Sequence, residues 1–496
     1  MTVALPLTKI VATIGTPGTP GCTREVVHGL ISAGVTVFRL NFSHGTAQGH
    51  EETAALIRTV SQESGHEVAL LGDLSGPKIR IGPVQEGGVR VRAGEDVVLQ
   101  TDEILATGPV FSSTYPDVIA DVQVGQRVFV NDGAVRMAAI ASQPGSVICR
   151  VLTGGLITTG KGINLPDTEL TLSSPTPVDL EMAQWAIAHG IDMMAQSFVR
   201  HGSEVRTLRR FIDQASGESG ESRIPIIAKI EKPQAVANIE GIIAEADAIM
   251  VARGDLGVEM EAAEIPIIQK RLVRDARSYG RPAIVATQML ESMIHHAAPT
   301  RAEVSDVANA ILDGADAVML SAETAIGKYP VLAAEMMRKI ARVTEQWEAG
   351  RTHRSRGDGG SDFVSTDHWI AALAAGAATI VRDVNARLVV CWSELGATAM
   401  HLSLNRYPIP IVACSSRLSV VRRLGVLRGV RPVQMPTPAT LDEFTARIDQ
   451  FLVDTALVDI GDPVVLIAGH PIGTDRQTNS LAVHYVGNPS TGYRGH

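Results

Sequence analysis

The chain has 496 residues, of which 45% are hydrophobic and 20% are charged, and this composition excludes disorder, collagen and coiled coil. The 44 lysines and arginines against 53 aspartates and glutamates give a net charge of −9, and aromatic residues make up only 4%. Because nucleic-acid binders usually carry a basic face and stacking aromatics, we expect no nucleic-acid partner. The length predicts about three domains, or one large domain with insertions.

Cysteine usage and hydropathy indicate the compartment. The four cysteines (Cys22, Cys149, Cys391 and Cys414) are far apart and form no CxxC pair, so neither a zinc cage nor a disulfide framework is expected. No apolar run approaches the roughly 18 residues of a membrane span. We expect a soluble, cytoplasmic protein without a membrane partner.

Short β-branched runs alternate with amphipathic stretches along much of the chain, and this alternation predicts parallel βα units. The candidate strands are Lys9–Ile14, Val35–Phe42, Val68–Leu74, Asp192–Phe198, Ile224–Ile230, Ala248–Val251, Ala283–Thr287 and Ala317–Leu320. The candidate helices include Glu204–Gln214, Gln234–Ala244, Ala263–Tyr279 and Arg301–Leu312. Eight is the number of strands that closes a (β/α)₈ TIM barrel.

Residues 75–170 interrupt the alternation after the third strand. They show no helical period, only short runs such as Val89–Val91 and Val128–Val130 between Gly, Asp and Pro. A segment this long and this β-patterned predicts a small all-β domain inserted at the top of the barrel.

Beyond the barrel, a helix is expected from Pro330 towards Gln346, followed by a polar, Gly-rich linker at Gly350–Asp362. Alternation then resumes, which predicts a doubly wound α/β domain. The resulting division is 1–74 and 171–349 for the catalytic barrel, 75–170 for a β-barrel lid, and 350–496 for a C-terminal domain that regulates or oligomerises.

The second strand carries polar residues where a barrel places its active site, at the carboxyl end. Arg39, Asn41 and Ser43 alternate along it and therefore share a face. Both faces of a barrel strand are buried, so an arginine there needs an anionic partner. We interpret Arg39 as part of an anion site rather than an exposed polar edge.

The later strands add a lysine and two carboxylates at the same rim. Lys229 and Glu231 are two residues apart, Asp255 follows the sixth strand and Thr287 ends the seventh. Two carboxylates on neighbouring strand ends suit Mg²⁺, which also accepts waters and substrate oxygens. A structural Lys229–Glu231 ion pair is the alternative.

The third strand ends at Asp73, with Lys78 and Arg80 just beyond it. Arg39, Lys229, Arg80 and a metal around one cavity describe a site for small molecules that carry phosphate and carboxylate groups.

Several segments carry a family resemblance. They are TKIVATIG, GVTVFRLNFSHG, LGDLSGPKIR, GKGINLP, IIAKIEKPQAVANI, DAIMVARGDLGVE, ATQMLESMI, PTRAEVSDVANAILDGADAVMLSAETAIGKYP and GHPIGTDRQTN. In this order they resemble the pyruvate kinase family over essentially the whole chain. The resemblance implies phosphoryl transfer from phosphoenolpyruvate to ADP, giving pyruvate and ATP as the final step of glycolysis.

The resemblance also implies residue roles. Lys229 would stabilise the transferring phosphoryl group, and Arg39 would hold the phosphate of phosphoenolpyruvate. Glu231 and Asp255 would bind Mg²⁺ or Mn²⁺. The carboxylate of the substrate and its neighbouring atoms would meet Gly254, Asp255 and Thr287, the last near the methylene carbon. The ADP and ATP contacts would be Asn41, Phe42, Ser43, His44, Arg80 and Lys161.

The family's monovalent-cation site departs from its usual pattern here. Asn41, Ser43 and Asp73 match the side-chain ligands, and Leu74 would supply its carbonyl. Lys78 stands where potassium-dependent members carry Glu, and Leu74 and Ile81 are similar to the potassium-independent branch. A fixed ammonium can replace the charge of a mobile cation, so we predict that catalysis does not require K⁺.

The resemblance implies a homotetramer and a phosphorylated effector bound on a C-terminal loop. Ser393, Gly396 and Thr398 match that loop, but Leu395 replaces a usual hydroxyl and Glu394 adds negative charge. The loop is therefore interpreted either as an effector site or as an ordinary strand-to-helix turn.

Two alternatives to the kinase remain. One is a metal-dependent lyase acting on pyruvate or phosphoenolpyruvate from a related barrel. The other is an inactive paralogue that senses metabolites. The lid and its basic residues disfavour the lyase, which needs no second phosphate site, and the presence of every matched site residue disfavours the inactive paralogue.

Overall fold

The first elements of the chain are the strand–helix units of a parallel sheet. The structure, a computed structural model, describes residues 6–115, 117–217, 223–352, 368–472 and 478–493. These first elements are β1 (Lys9–Thr13), α1 (Arg24–Ala33), β2 (Val35–Asn41), α2 (Ala47–Ser64) and β3 (Ala69–Asp73). Helices α1 and α2 begin at threonine caps and end at glycines with positive φ, as such signals predict.

The chain then builds a separate β-rich unit. Its elements are β4 (Val89–Val91), β5 (Asp96–Gln100), β6 (Val110–Ser112), α3 (Val118–Asp121), β7 (Arg127–Val130), β8 (Val135–Gln143), β9 (Ser146–Thr153), β10 (Gly155–Ile157) and β11 (Ile163–Asn164). Six of these strands form one sheet in the order β11-β7-β8-β9-β5-β6, while β10 pairs with β4. The single turn of helix α3 departs from the expectation of no helix in this segment.

The strand–helix alternation resumes after this insertion. Its elements are α4 (Pro177–Ala188), β12 (Met193–Gln196), α5 (Gly202–Ala215), β13 (Ile226–Ile230), α6 (Pro233–Ala237), α7 (Ile239–Glu245), β14 (Ala248–Ala252), α8 (Arg253–Glu259), α9 (Ile265–Ser278), β15 (Ala283–Ala286), α10 (Arg301–Leu312), β16 (Ala317–Leu320), α11 (Ala322–Ala325) and α12 (Pro330–Thr352). The single helix expected over 234–244 is two helices, because the chain breaks at Asn238 between α6 and α7.

Eight parallel strands close into a barrel in the order β1-β16-β15-β14-β13-β12-β3-β2. All eight sequence-predicted strands are in this barrel, so the predicted TIM barrel is confirmed. Successive side chains alternate between its interior, as Val37 does, and the surrounding helices, as Phe38 does. Both sets are buried, which is why these strands are apolar on both faces.

The remaining elements form the C-terminal α/β domain, confirming its predicted class. They are α13 (His368–Asp383), β17 (Leu388–Trp392), α14 (Ala397–Leu404), β18 (Ile411–Ser415), α15 (Leu418–Arg423), β19 (Val430–Gln434), α16 (Leu441–Asp454), β20 (Pro463–Ala468) and β21 (Ser480–Tyr485). The sheet order is β19-β18-β17-β20-β21, and only β21 is antiparallel.

The linker expected at Gly350–Asp362 begins inside a helix. Helix α12 continues through Gly350 to Thr352, so the barrel boundary placed at residue 349 falls within it. A glycine near a helix end costs only about 1 kcal/mol, and the length of α12 tolerates it. Residues 353–362 of this linker lie outside the described part of the chain.

The barrel floor and the C-terminal domain share one hydrophobic core. Interior residues such as Val11, Ile227 and Met250 belong to the same buried cluster as Leu402 and Leu424 of the C-terminal domain. The end of the barrel that carries the amino termini of the strands is therefore closed by protein, and the opposite end remains for a site. No helix within the described residues is long and apolar enough to cross a membrane.

Candidate active site

Arg39, Asp73 and Lys229 meet at the carboxyl ends of β2, β3 and β13. Arg39 Nε donates to Asp73 Oδ2 at 2.6 Å, and Lys229 Nζ lies 3.3 Å from Asp73 Oδ1. All three side chains are buried. Burial alone would raise the pKa of Asp73, but Lys229 and then Arg39 hold it below its ordinary value. One carboxylate thus keeps two buried cations charged and in place.

Lys229 has two further partners. Its Nζ is 2.8 Å from Glu231 Oε1 and donates to Ser197 Oγ at 2.7 Å. Burial would lower the pKa of Lys229, but the carboxylates of Asp73 and Glu231 outweigh it and raise the pKa. The lysine is therefore a fixed positive charge rather than a base at neutral pH. The predicted alternative, a Lys229–Glu231 ion pair, is present, and it is part of a larger cluster rather than an isolated structural pair.

Glu231 and Asp255 form the acidic side of the cluster. Glu231 Oε2 accepts from the Phe198 amide at 2.7 Å, and Asp255 lies in the first turn of α8. Burial raises the pKa of Glu231, Lys229 opposes that rise, and the negative charge of Asp255 adds to it. A buried carboxylate that is destabilised by a second carboxylate suits a hard cation between the two.

Gly254 and Thr287 bring α8 against the end of β15. The Gly254 amide donates to Thr287 Oγ1 at 2.7 Å, and a Cβ on Gly254 would lie 3.2 Å from that oxygen. Thr287 and Gln288 both have positive φ, 67° and 55°. A β-branched residue in this region is strained, so the surrounding contacts must hold Thr287 in its position.

The β-rich insertion faces the same rim across a narrow cleft whose walls include Lys78, Asp132, Gly162 and Asp255. A Cβ on Gly162 would lie 3.8 Å from Lys78 Cε, so Lys78 extends along the insertion. The insertion is thus placed as a lid over the acidic side of the site.

Arg80 and Lys161 lie where the first and last segments of the lid contact each other. The backbone of Arg80 bridges that of Gly162, and Arg80 NH1 donates to the Gly160 carbonyl at 2.9 Å. The Lys161 carbonyl accepts from the Ile81 amide at 2.8 Å. The two predicted nucleotide-binding cations therefore lie on adjacent segments of chain.

The segment after β2 separates into polar and buried positions. Asn41 Oδ1 accepts from the Ser43 amide at 3.2 Å, and His44 is exposed. Partial desolvation of the ring, and then the positive charge of Lys78 and Arg80, lower the pKa of His44. The Phe42 ring instead packs in the barrel core, and it leaves only its backbone for a nucleotide.

The remaining monovalent-cation candidate, Leu74, follows β3. Its side chain is buried and its amide donates to the Ala195 carbonyl at 2.9 Å. Asn41 and Asp73 are direct neighbours across the β2–β3 pair. Both carboxylate oxygens of Asp73 already have cationic partners, Arg39 and Lys229.

The predicted effector loop lies in the C-terminal domain between β17 and α14, outside this cluster. Ser393 Oγ accepts from the Ala399 amide at 3.2 Å, and Thr398 Oγ1 shares a 2.6 Å hydrogen bond with Thr478 Oγ1. Gly396 has φ 94° and begins the helix. Both hydroxyls are buried and already have partners.

Sequence reasoning missed two residues that contact the site. Ser197 links Lys229 to Asp73, but a lone serine after a strand gives no signal. Arg253 is buried and donates through NH2 to the carbonyls of Thr287 and Gln288, at 2.8 and 3.2 Å. A buried arginine beside Gly254 at a strand end was the available signal, the same one that identified Arg39.

The family model "Pyruvate kinase, barrel domain" matches residues 5–334, and "Pyruvate kinase, alpha/beta domain" matches residues 371–484. The chain belongs to the pyruvate kinase family. The pyruvate kinase of Geobacillus stearothermophilus is 40% identical over 97% of the chain and 80% of that relative. The pyruvate kinase of Mycobacterium tuberculosis (strain ATCC 25618 / H37Rv) is 38% identical over 97% and 98%. A pyruvate kinase crystal structure from Cryptosporidium parvum superposes with a TM-score of 0.87 at 32% identity, covering 97% of this chain and 96% of that one.

Proposed function

We propose that the chain catalyses divalent-metal-dependent phosphoryl transfer from phosphoenolpyruvate to ADP, giving pyruvate and ATP. The observation that carries this proposal is the buried cluster in which Asp73 holds both Arg39 and Lys229 at the open end of the barrel. Phosphoryl transfer needs positioning and charge neutralisation more than it needs a strong base, and fixed cations supply both. Membership of the pyruvate kinase family supports the same reaction.

The roles follow from position in the cluster. Arg39 would bind the phosphate of phosphoenolpyruvate, and Lys229 would neutralise charge on the phosphoryl group as it transfers. Gly254, Asp255 and Thr287 would receive the carboxylate end of the substrate, which places the Thr287 hydroxyl near the carbon that is protonated. The short Gly254–Thr287 hydrogen bond supports this pairing.

Nucleotide binding is assigned to the rim between β2 and the lid. Arg80 and Lys161 would contact phosphates from the lid side, and Asn41, Ser43 and His44 from the barrel side. Phe42 would contribute through its backbone. A lid that closes over this rim would exclude water and so limit hydrolysis of phosphoenolpyruvate.

Glu231 and Asp255 are the residues that would hold Mg²⁺ or Mn²⁺. Within the described residues, no group of three or more His, Cys, Asp or Glu side chains forms a metal cage. Two carboxylates with open positions for water and substrate oxygens fit Mg²⁺. When bound, the ion would supply charge neutralisation at the phosphates, while Lys229 and Arg39 orient them.

Lys229→Ala tests the assignment. A lactate-dehydrogenase-coupled assay with phosphoenolpyruvate, ADP and Mg²⁺ should detect pyruvate from the parent enzyme and none from this variant, while substrate binding by calorimetry is largely preserved. Lys270→Ala is the matched control and should keep full turnover. It removes a half-exposed lysine of α9 that pairs with Asp313. Full activity in Lys229→Ala would refute its role, and an inactive parent would favour the sensor alternative.

We further propose that catalysis does not need K⁺. Lys78 extends along the lid beside the site, and Asp73 is already neutralised by two cations. In tetramethylammonium buffer, added K⁺ should change turnover less than twofold, whereas Lys78→Glu should become K⁺-activated. Activation of the parent by tenfold or more would overturn the proposal.

The remaining assignments concern assembly and regulation. We propose a homotetramer on the basis of the family. We also propose that Ser393, Gly396 and Thr398 bind phosphorylated effectors weakly at most, since the hydroxyls of Ser393 and Thr398 already have hydrogen-bond partners. Glu394, which bonds Ser416 and Arg417, brings negative charge to the same loop. The division of the chain into barrel, lid and C-terminal domain remains a proposal, and helix α12 spans its last boundary.

A further inference from the structure

A second cavity lies at the opposite end of the barrel from the cluster of charges. It is open to solvent on one side and lies between the barrel floor and the C-terminal domain, with about 910 Å³ of empty space when the open solvent at its mouth is included. Its apolar wall combines Met193, Ile227 and Ala248 of the floor with Met400, Leu424 and Leu427 of the C-terminal domain. Since β12 and β14 begin at Met193 and Ala248, this space is far from the carboxyl ends of those strands.

The charged residues around this cavity are unevenly matched. Three arginines and one aspartate line it, and the aspartate, Asp247, is already bonded to Arg209 and lies 3.6 Å from Arg223. Two arginines, Arg281 and Arg423, therefore remain as excess positive charge. The cavity is a place where an anion would be attracted.

Both remaining guanidinium groups have buried donors to spare. Among the described residues, the Nε atoms of Arg281 and Arg423 are buried without a hydrogen-bond partner, although Arg423 NH1 donates to the Arg223 carbonyl at 2.9 Å. Burial lowers the pKa of Arg423, and Asp192 and Asp247 only oppose that effect. Buried donors in native proteins nearly always have partners, and these two guanidinium groups line a cavity that an acceptor from outside the chain can enter.

The amino end of α14 faces the same space. Leu395, Gly396 and Ala397 line the cavity, whereas the hydroxyls of Ser393 and Thr398 are bonded within the C-terminal domain. The loop thus has two faces, and the cavity lies on the one without hydroxyls. The positive end of the helix adds to the attraction for an anion.

We propose that this interdomain cavity binds a small organic anion that joins an apolar body to an anionic head group held by Arg281 and Arg423. Inorganic phosphate alone would leave the apolar wall of the cavity in contact with water. A purely apolar molecule would leave both buried Nε donors without hydrogen-bond partners. A ligand with both an apolar body and an anionic group would cover the apolar wall and also bind the two arginines. This site is separate from the phosphoryl-transfer site and does not depend on the roles proposed there.

Fluorescent probes test the proposal directly on the full-length enzyme. The anionic dye 8-anilinonaphthalene-1-sulfonate should bind with one saturable site per chain, and saturating phosphoenolpyruvate, ADP and Mg²⁺ should not displace it. N-phenyl-1-naphthylamine, the same body without the sulfonate, should bind at least tenfold more weakly to that site. Inorganic phosphate alone should not compete at millimolar concentration.

Two variants test whether the dye binds in this cavity. Arg281→Gln should raise the dissociation constant of the sulfonate dye about tenfold and remove its advantage over the neutral dye, since a charge-assisted hydrogen bond is lost. Ala397→Phe should block binding by filling the space. Arg274→Gln, which removes an exposed arginine on α9 outside the cavity, is the matched control and should bind as the parent does.

Turnover of phosphoenolpyruvate serves as the measure of correct folding, because Arg281 and Ala397 touch none of the proposed catalytic groups. Displacement of the dye by substrates would overturn the proposal. So would equal affinity for the two dyes, or unchanged affinity in a correctly folded Arg281→Gln enzyme.

Discussion

Replacing Arg253 by lysine should disable the substrate end of the active site while leaving the barrel folded. The two bonds from Arg253 NH2 hold the carbonyls of Thr287 and Gln288, and NH1 lies 2.7 Å from Asp306 Oδ2. The guanidinium thus connects the backbone of Thr287 and Gln288 to the side chain of Asp306. The single ammonium of a lysine can bond one side only.

The expected loss of activity can be estimated by comparing the backbone strain at Thr287 and Gln288 with the hydrogen bonds by which Arg253 holds them. Two non-glycine residues with positive φ cost about 1–3 kcal/mol each, and the two charged hydrogen bonds from Arg253 contribute about 1.5–3 kcal/mol each. The terms are similar in size, so losing the restraint lets Thr287 relax away from Gly254. Misplacing a positioned group commonly costs about 100-fold in rate, which corresponds to about 2.7 kcal/mol of transition-state stabilisation.

The assay is steady-state turnover with Mg²⁺, with phosphoenolpyruvate varied at saturating ADP and, separately, ADP varied at saturating phosphoenolpyruvate. We expect Arg253→Lys to lower kcat/KM for phosphoenolpyruvate about 100-fold and to change KM for ADP little. Arg271→Lys, the same substitution at a half-exposed arginine that also bonds a backbone carbonyl, should retain parental kinetics. If folded Arg253→Lys keeps kcat/KM within threefold of the parent, the restraint does not position Thr287.

Three further outcomes are expected. Gly254→Ala, whose Cβ would lie 3.2 Å from Thr287 Oγ1, should lower kcat/KM for phosphoenolpyruvate at least tenfold in the same assay. Gly72→Ala would place a Cβ 2.8 Å from the Phe42 ring and should destabilise the barrel by about 1–3 kcal/mol in urea unfolding. Burial lowers the pKa of His50, so below about pH 6.5 the unfolded chain binds a proton that the folded chain resists. Stability should therefore fall as pH drops from 7 to 5, and fall less in His50→Gln.

The barrel could be predicted because its signals are local. Each strand is a short apolar run, and helices such as α10 begin at a threonine followed three residues later by glutamate. In α10 these residues, Thr300 and Glu303, form a capping box. Helix α12 shows the limit of such signals. Gly350 suggested a linker, yet packing along the preceding turns carries the helix past it to Thr352.

The site could be predicted in part, for a different reason. Charged residues at buried strand ends are rare, so Arg39 and Lys229 stood out in the sequence. The sequence could not show which way each side chain of a matched segment points. Phe42 lies in the segment that resembles a nucleotide-binding one, but its ring is buried with its centroid 5.0 Å from that of His50. Contacts between distant segments, such as Ser197 with Lys229, exist only after the barrel closes.

The balance of charges in the cluster explains why these residues are buried at all. Arg39 and Lys229 are offset by Asp73 and Glu231, and Asp255 adds a further negative charge beside Glu231. Buried ion pairs seldom stabilise a fold more than apolar packing would, so stability does not account for placing four charges at one rim. Their value lies in the bound state, because a cation held by Glu231 and Asp255 would free the charge of Lys229 for the transferring phosphoryl group. Preorganised charge of this kind needs no rearrangement at the moment of reaction.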